Sequence, residues 1–251
     1  MLDKLLSFCG FFVEVVSESG IFLLALIRGR TRFGARSFKS ELVLLAVQPL
    51  VVVGVAGVSL GLILSSQAAR LLDVLNLESQ MIQLIVLALV RDLAPVVAGI
   101  FVAGRGGLAL AVHLGAMVRN REVDALILMD ISRLRFVVAP TFCITQISMV
   151  AMTLWFSLLS VLAAGAYMDQ ARQIPITLFL GVAVDTLAAS DLTVSVTKAM
   201  TIGLLVIVIS AFNGLSIDRH ARGLSRVAIT TVVESFLVVI MVQLGFSLAR
   251  V

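Results

Sequence analysis

The sequence predicts an all-α integral membrane protein: an N-terminal interfacial amphipathic helix, then five transmembrane helices, with a short extracytoplasmic or re-entrant helix before the fourth. Three observations predict it. Of 251 residues, 60% are hydrophobic and 14% charged, against about 45–50% and about 25% in an average soluble domain. Five apolar stretches are each long enough, at about 1.5 Å per helical residue, to cross a hydrocarbon core of about 30 Å. The basic residues gather in alternate connecting segments. Four prolines and one tyrosine leave little room for a disordered or all-β chain.

The first 27 residues differ from the rest. Asp3, Ser7, Gly10, Glu14 and Ser17 recur every three or four residues, and Leu2, Leu5, Leu6, Cys9, Phe12, Val13 and Val16 fill the other positions. One narrow polar stripe on an apolar helix suits a helix lying in the membrane interface; a sixth span is the other reading. Residues 28–40 form a basic cytoplasmic segment, and residues 41–251 hold the five spans. Leu42 to Ala69 is free of charge. Ser79 to Gly115 carries only Arg91, Asp92, Arg105 and His113, and it exceeds one perpendicular crossing, so it must tilt, break or protrude, with Pro95 a kink point. Phe136 to Met168 is uncharged, Ala199 to Ile217 is a minimal fourth span, and Val227 to Ala249 holds only Glu234. Gln173 to Val184 is uncharged but too short to cross.

Charge orients these spans. Arg28, Arg30, Arg32, Arg36 and Lys39 precede the first. Arg119, Arg121, Arg133 and Arg135 lie between the second and third, and Arg219, Arg222 and Arg226 between the fourth and fifth. Basic loops stay in the cytoplasm, which puts the N-terminus inside and the C-terminus outside, with Asp185 and Asp191 on the outer side facing water or a partner. Short basic loops flanking apolar spans are topology signals, so no nucleic-acid partner is expected.

Small residues mark close helix packing. Gly99, Ala103, Gly107, Ala111 and Gly115 repeat every fourth residue, and Gly54, Gly57, Gly61 and Ser65 form a shorter ridge. Such ridges let helices approach in lipid, where packing replaces the hydrophobic drive. Packing within the chain, a dimer seam and a cavity wall are all compatible with them. No metal spacing, nucleophile–base pair or paired catalytic carboxylates assemble, so neither a catalytic site nor a metal site is expected. The stretch Gly99-x4-Gly104-Arg105-Gly106 lacks the Lys and Ser/Thr of a phosphate loop. If ATP drives this protein, a separate subunit binds it.

The most informative stretch runs from Arg91 to Arg105: Arg-Asp-Leu-Ala-Pro-Val-Val-Ala-Gly-Ile-Phe-Val-Ala-Gly-Arg. Charge at membrane depth is costly and marks function by default. Arg91, Asp92, Pro95, Arg105 and Glu234 are therefore candidates for a lipid cavity or a polar lock. Arg91 and Asp92 point about 100° apart on a helix, so each needs its own partner; Glu234 or a lipid phosphate would serve Arg91. Between the second and third spans, Val123, Leu126, Ile127 and Met129 alternate with Arg121, Glu122, Asp124 and Asp130. That pattern suits a short amphipathic helix seated in a partner's groove or against lipid heads.

These residues resemble the MlaE (YrbE) permease family, the membrane subunits of ABC-type lipid transporters. The family motif runs Arg-Glu-Leu-Gly-Pro, an apolar turn or two, then Ala-Gly-Arg; Asp92 and Ala94 depart from it. The likeness continues in Gly115-Ala116-Met117 with Glu122, Asp124-Ala125-Leu126, Met129 and Pro140. It ends in Phe212-Asn213-Gly214, Gly223-Leu224-Ser225-Arg226 and Thr230-Thr231-Val232-Val233-Glu234-Ser235. Val112-His113 replaces a usual Ala-Glu, Asn120-Arg121-Glu122 a Thr-Glu-Gln, Ile127 an acid and Ser132-Arg133 an Asp-Pro, so the loop between the second and third spans has lost acid. The resemblance implies a permease with its ATP on a cytoplasmic ABC ATPase. It also implies a second permease copy or paralogue, an MCE-domain protein on the outer side and a small cytoplasmic regulatory subunit. The implied cargo is phospholipid or a related lipid moved between inner and outer membranes. Arg119, Arg121, Glu122, Asp124, Leu126 and Met129 are then candidates for coupling to the ATPase. A scaffold subunit without its own transport path and a secondary transporter stand as alternatives; the latter would need an internal repeat, and none is found.

Overall fold

In a computed structural model of the chain, the described residues are 10–20, 48–75, 78–130, 132, 134–216 and 223–249. The flanks of the N-terminal helix, the basic segment 28–40, residues 42–47 of the first apolar stretch and the arginines at 133, 219 and 222 lie outside them. Every element is helical: α1 (residues 10–20), α2 (Gln48–Leu75), α3 (residues 78–119), α4 (Glu122–Leu128), α5 (Ala139–Arg172, entered through a π turn at Leu134–Val138), α6 (Ile176–Thr186), α7 (Ala189–Leu215) and α8 (Gly223–Leu248). Five candidate spans fall within them: Pro49–Arg70, Gln80–Arg119, Phe136–Arg172, Ala189–Leu215 and Leu224–Leu248. The short helix expected before the fourth span is α6.

Two boundaries differ most from the sequence reading. The fourth span begins at Ala189 rather than the expected Ala199, because Asp191, Ser195 and Lys198 of its polar first half find partners on α3. The second span runs unbroken through Arg119. Its 40 residues measure about 60 Å, twice the hydrocarbon thickness, and its helix holds two π turns, Ala88–Leu93 and Val102–Gly107. A left-handed Arg121 (φ 61°) then turns the chain into α4, and a left-handed Gln173 (φ 54°) ends α5 before Pro175 opens α6.

Both small-residue ridges are spent inside the chain. On α2, a Cβ at Gly61 would collide with the Ser160 carbonyl oxygen, one at Gly57 would lie 3.1 Å from that of Phe156, and one at Gly54 would press on Leu159 and Trp155. These partners ascend α5 as the glycines ascend α2, so the two helices run parallel. Trp155 Nε1 donates to the Leu50 carbonyl at one end of this seam, and the Arg172 guanidinium donates to that of Ala69 at the other. On α3, Gly99 faces Ile202 and Val239, and Gly107 faces Val206 and Ser210; Gly214 of α7 in turn meets Ala111 and Leu114.

The core is stacked along the bundle. At one end Ile82, Val86, Leu89, Met168 and Phe179 join α3, α5 and α6. In the middle Ala98, Val102, Met152, Phe156, Ile202 and Val239 join α3, α5, α7 and α8. At the other end Val15 of α1 and Val123 and Leu126 of α4 close over Leu110, Leu114 and Met117 of α3 and Val208 of α7. The amphipathic α1 thus docks its Val15 side on the spans, and its Phe11 ring meets Phe212 edge-on at 5.7 Å. Gly61→Val should force α2 and α5 apart, because the obstacle is backbone, and cost about 1–3 kcal/mol. Gly181, with nothing within 4 Å of its Cβ position, should accept Ala without effect. Thermal denaturation of both variants in detergent checks the contrast.

Candidate functional site: a repaired break in α3

The site is built on a defect in the α3 backbone. In the first π turn the Ala94 N–H reaches back to the Leu89 carbonyl, leaving the Val90 carbonyl without its usual helical donor. Pro95 follows and has no N–H, so the Arg91 carbonyl also loses its donor. Two neighbouring carbonyls are thereby freed in an apolar setting, where each must find a partner. α7 supplies both: Ser195 Oγ donates to the Val90 oxygen at 2.7 Å, and Lys198 Nζ donates to the Arg91 oxygen at 3.2 Å.

The same lysine closes an ion pair. Its Nζ lies 2.7 Å from Asp92 Oδ1, which also accepts from Gln243 Nε2 of α8 at 3.1 Å. Arg91 reaches another acid of α7, with Nη1 3.6 Å from Asp191 Oδ1. Arg91, Asp92, Asp191 and Lys198 carry two charges of each sign, so the group is neutral. Lys198 is 1% exposed, whereas the Asp92 side chain is 49% exposed and presents the site to the outside of the chain. Gln243 Oε1 is buried with no hydrogen-bond partner among the described residues.

Arg91, Asp92 and Pro95 lie together in and beside the first π turn. Two other candidates do not join them. Arg105 lies in the second π turn, further along α3, beside a small cleft lined by Pro49, Phe101, Thr145, Ser148 and Met152. Glu234 accepts from Asn213 Nδ2 at 2.6 Å, so the expected Arg91–Glu234 pair is replaced by Arg91–Asp191. At the α4 end, Glu122 accepts from Asn120 Nδ2 at 3.2 Å, while Arg119 and Arg121 are exposed. Leu126 points into the core, which corrects its expected place on a docking face. The apolar residues left outside are Ile127, Leu128 and Met129, with Leu128 88% exposed. Sequence reasoning missed Ser195, Lys198 and Gln243. A signal was present: Asp191, Ser195 and Lys198 fall at i, i+4 and i+7, one face of a helix.

Comparison with known proteins decides the family. The permease MlaE family matches residues 38–249. The chain belongs to this family. Among its MlaE relatives, the intermembrane phospholipid transport system permease protein MlaE of Haemophilus influenzae is 27% identical over 232 residues, 91% of this chain and 89% of that protein. A probable ABC transporter permease protein of Rickettsia bellii is 26% identical over 202 residues, 80% of this chain and 77% of its own length. The chloroplastic protein TRIGALACTOSYLDIACYLGLYCEROL 1 of Arabidopsis thaliana is 25% identical over 175 residues, 70% of this chain and 50% of that protein.

In this MlaE-family chain Lys198→Met should strand the Asp92 carboxylate and the Arg91 carbonyl together. Because the lysine is buried but the Asp92 side chain is half exposed, the cost falls below that of a fully buried pair, at about 1–3 kcal/mol. The double variant Asp92→Asn with Lys198→Met should recover part of the loss, giving a coupling of at least about 1 kcal/mol in a double-mutant cycle. Apparent melting temperatures of the four proteins in detergent measure it.

Proposed function

We propose that this chain is the membrane-spanning permease subunit of an ABC-type lipid transporter in the inner (cytoplasmic) membrane, with phospholipid as cargo and ATP hydrolysed on a separate cytoplasmic subunit. The observation that carries the reading is the family match over residues 38–249, on a chain with five helices able to cross a membrane. The names of the relatives supply the ABC system and the phospholipid. A second permease copy or paralogue, an MCE-domain protein on the outer side and a small cytoplasmic regulatory subunit complete the proposed assembly.

In this reading each end of the bundle has a task. Between the two longest spans, α4 rests on the core through Val123 and Leu126 and holds Ile127, Leu128 and Met129 outward. Three adjoining exposed apolar residues beside Arg119 and Arg121 form a knob suited to a groove on the ATPase. Because α4 shares its packing with α1, α3 and α7, displacement of the knob is transmitted to three helices at once. The Arg91–Asp92 network lies toward the far end of α3 and serves as a polar lock among α3, α7 and α8. The outward sides of α2 and α8, with Val51, Val55, Leu237 and Met241 exposed, are surfaces for acyl chains or for a second copy.

A photo-crosslinker at Leu128 or Met129 in the assembled complex should capture a nucleotide-binding subunit, while one at Leu126 should stay within the chain. Capture of lipid alone at all three positions would sink the coupling role. Topology is checked separately, with Cys9 and Cys143 replaced. A cysteine at Arg121 should resist an impermeant thiol reagent in intact spheroplasts, and one at Gln170 should react. The reverse pattern would invert the proposed orientation.

A further inference from the structure

The two π turns of α3 are alike in their backbone and unlike in what surrounds them. In the second, as in the first, one helical carbonyl is passed over. The Leu108 N–H bonds to the carbonyls of Ala103 and Arg105, which leaves that of Gly104 without its usual donor. The freed carbonyls of the first turn are taken by Ser195 and Lys198. Among the described residues no side chain does the same for Gly104. Ser210, the α7 hydroxyl that faces Gly107, returns its own hydrogen to Val206.

The second turn also has room. A Cβ at Gly104 would meet nothing within 4 Å. Elsewhere around the turn, a cleft lies between Val102 and Gly106 of α3 and Thr145 of α5. Thr145 Oγ1 is buried with no partner among the described residues. Thr141, Thr153 and Ser157 on the same helix each return theirs to the carbonyl four residues back. Gly107 is held closely, its Cβ position 2.6 Å from Ser210 Oγ. A helix interrupted by a π turn bends where the ladder is broken, and here the break is open at Gly104 and braced at Gly107. Ser195, Lys198 and Gln243 tie the first turn to α7 and α8 instead.

We propose that the second π turn is the joint of α3, where Leu108–Arg119, with α4 packed on it, changes its angle to residues 78–101 by re-pairing the carbonyls of residues 101–105. An i→i+5 bond closes a turn with one residue more than an i→i+4 bond. The turn therefore holds one residue of slack. The free Thr145 hydroxyl is on hand for a carbonyl turned toward it as the bonds re-pair. The first π turn stays fixed. That the joint carries motion from an ATPase at α4 rests on the permease reading; the slack in the helix does not.

Hydrogen–deuterium exchange of the full chain in its assembled complex, in nanodiscs, reads the joint directly. Amides of residues 104–109 should exchange about tenfold faster than those of residues 90–94, although the Asp92 side chain in the latter is half exposed. Gly104→Ala should slow exchange at 104–109 about fivefold, the factor by which Ala favours a helix over Gly. Deleting Gly104 should leave a continuous α-helix with both flanks in register, so the complex keeps its native size-exclusion profile and both segments are protected alike. Deleting Leu110 from the regular helix beyond turns every later residue by about 100° and should abolish assembly. Equal exchange at the two π turns overturns the joint, and so does a Gly104 deletion that fails to assemble. A Gly104-deleted complex that transfers lipid at the native rate overturns it too, whereas lost transfer with ATP hydrolysis retained supports it. A native complex that moves no lipid would defeat the permease reading, and the exchange contrast would leave the joint standing.

Discussion

Two backbone carbonyls organise the membrane half of this protein. A π turn and a proline at residues 88–95 release them from their usual helical donors. Their repair by Ser195 and Lys198 fixes α7 against α3 at one rotation and one height. Once Lys198 is held there, its charge needs an acid, Asp92 meets it, and Asp92 draws Gln243 of α8 into the same cluster. Helices α7 and α8, both far from α3 in sequence, are thereby set in register with it by polar groups, in a medium where apolar contact does not discriminate one rotation from another. The small-residue contacts of Gly99 and Gly107 with α7 then fall into place along the same seam.

The fold is largely legible in the sequence because membrane spans announce themselves by length and apolarity alone. All five appear, the short helix before the fourth appears, and the family likeness read from Arg91–Arg105 and the later motifs is shown by the family match. What fails is what hydropathy cannot register. A helix half lined with Ser190, Asp191, Thr193, Ser195 and Lys198 looks like a loop when residues are averaged, yet Asp191, Ser195 and Lys198 are satisfied inside the bundle. The π turns have no sequence signature at all. The charges at residues 91 and 92 stand out in the sequence, but their partners lie about a hundred positions away and no local pattern names them. Glu234 is the wrong partner for Arg91 because apolarity singles out the isolated acid of the fifth span and leaves Asp191 outside the fourth. The α4 docking surface is half legible: the helix is amphipathic as its pattern says, but which apolar residues face inward depends on α1, whose seat on the spans no pattern reveals.

The two ends of the bundle are built on different physics. At the α1–α4 end the helices meet through aliphatic and aromatic packing, Val15, Leu114, Met117, Val123 and Leu126 among them, which tolerates sliding and re-packing. At the other end a polar network sets discrete partners, which must break before they can exchange. The helix α3, interrupted only by its two π turns, joins the apolar end to the polar one.

The neutrality of the Arg91–Asp92–Asp191–Lys198 group has an electrical consequence. Moving a single elementary charge through a potential of 100 mV involves about 2.3 kcal/mol, enough to bias any rearrangement that carries one across the bilayer. A set with two charges of each sign, displaced as a body, crosses the field with no net work. Any displacement of this group as a body is therefore indifferent to the membrane potential.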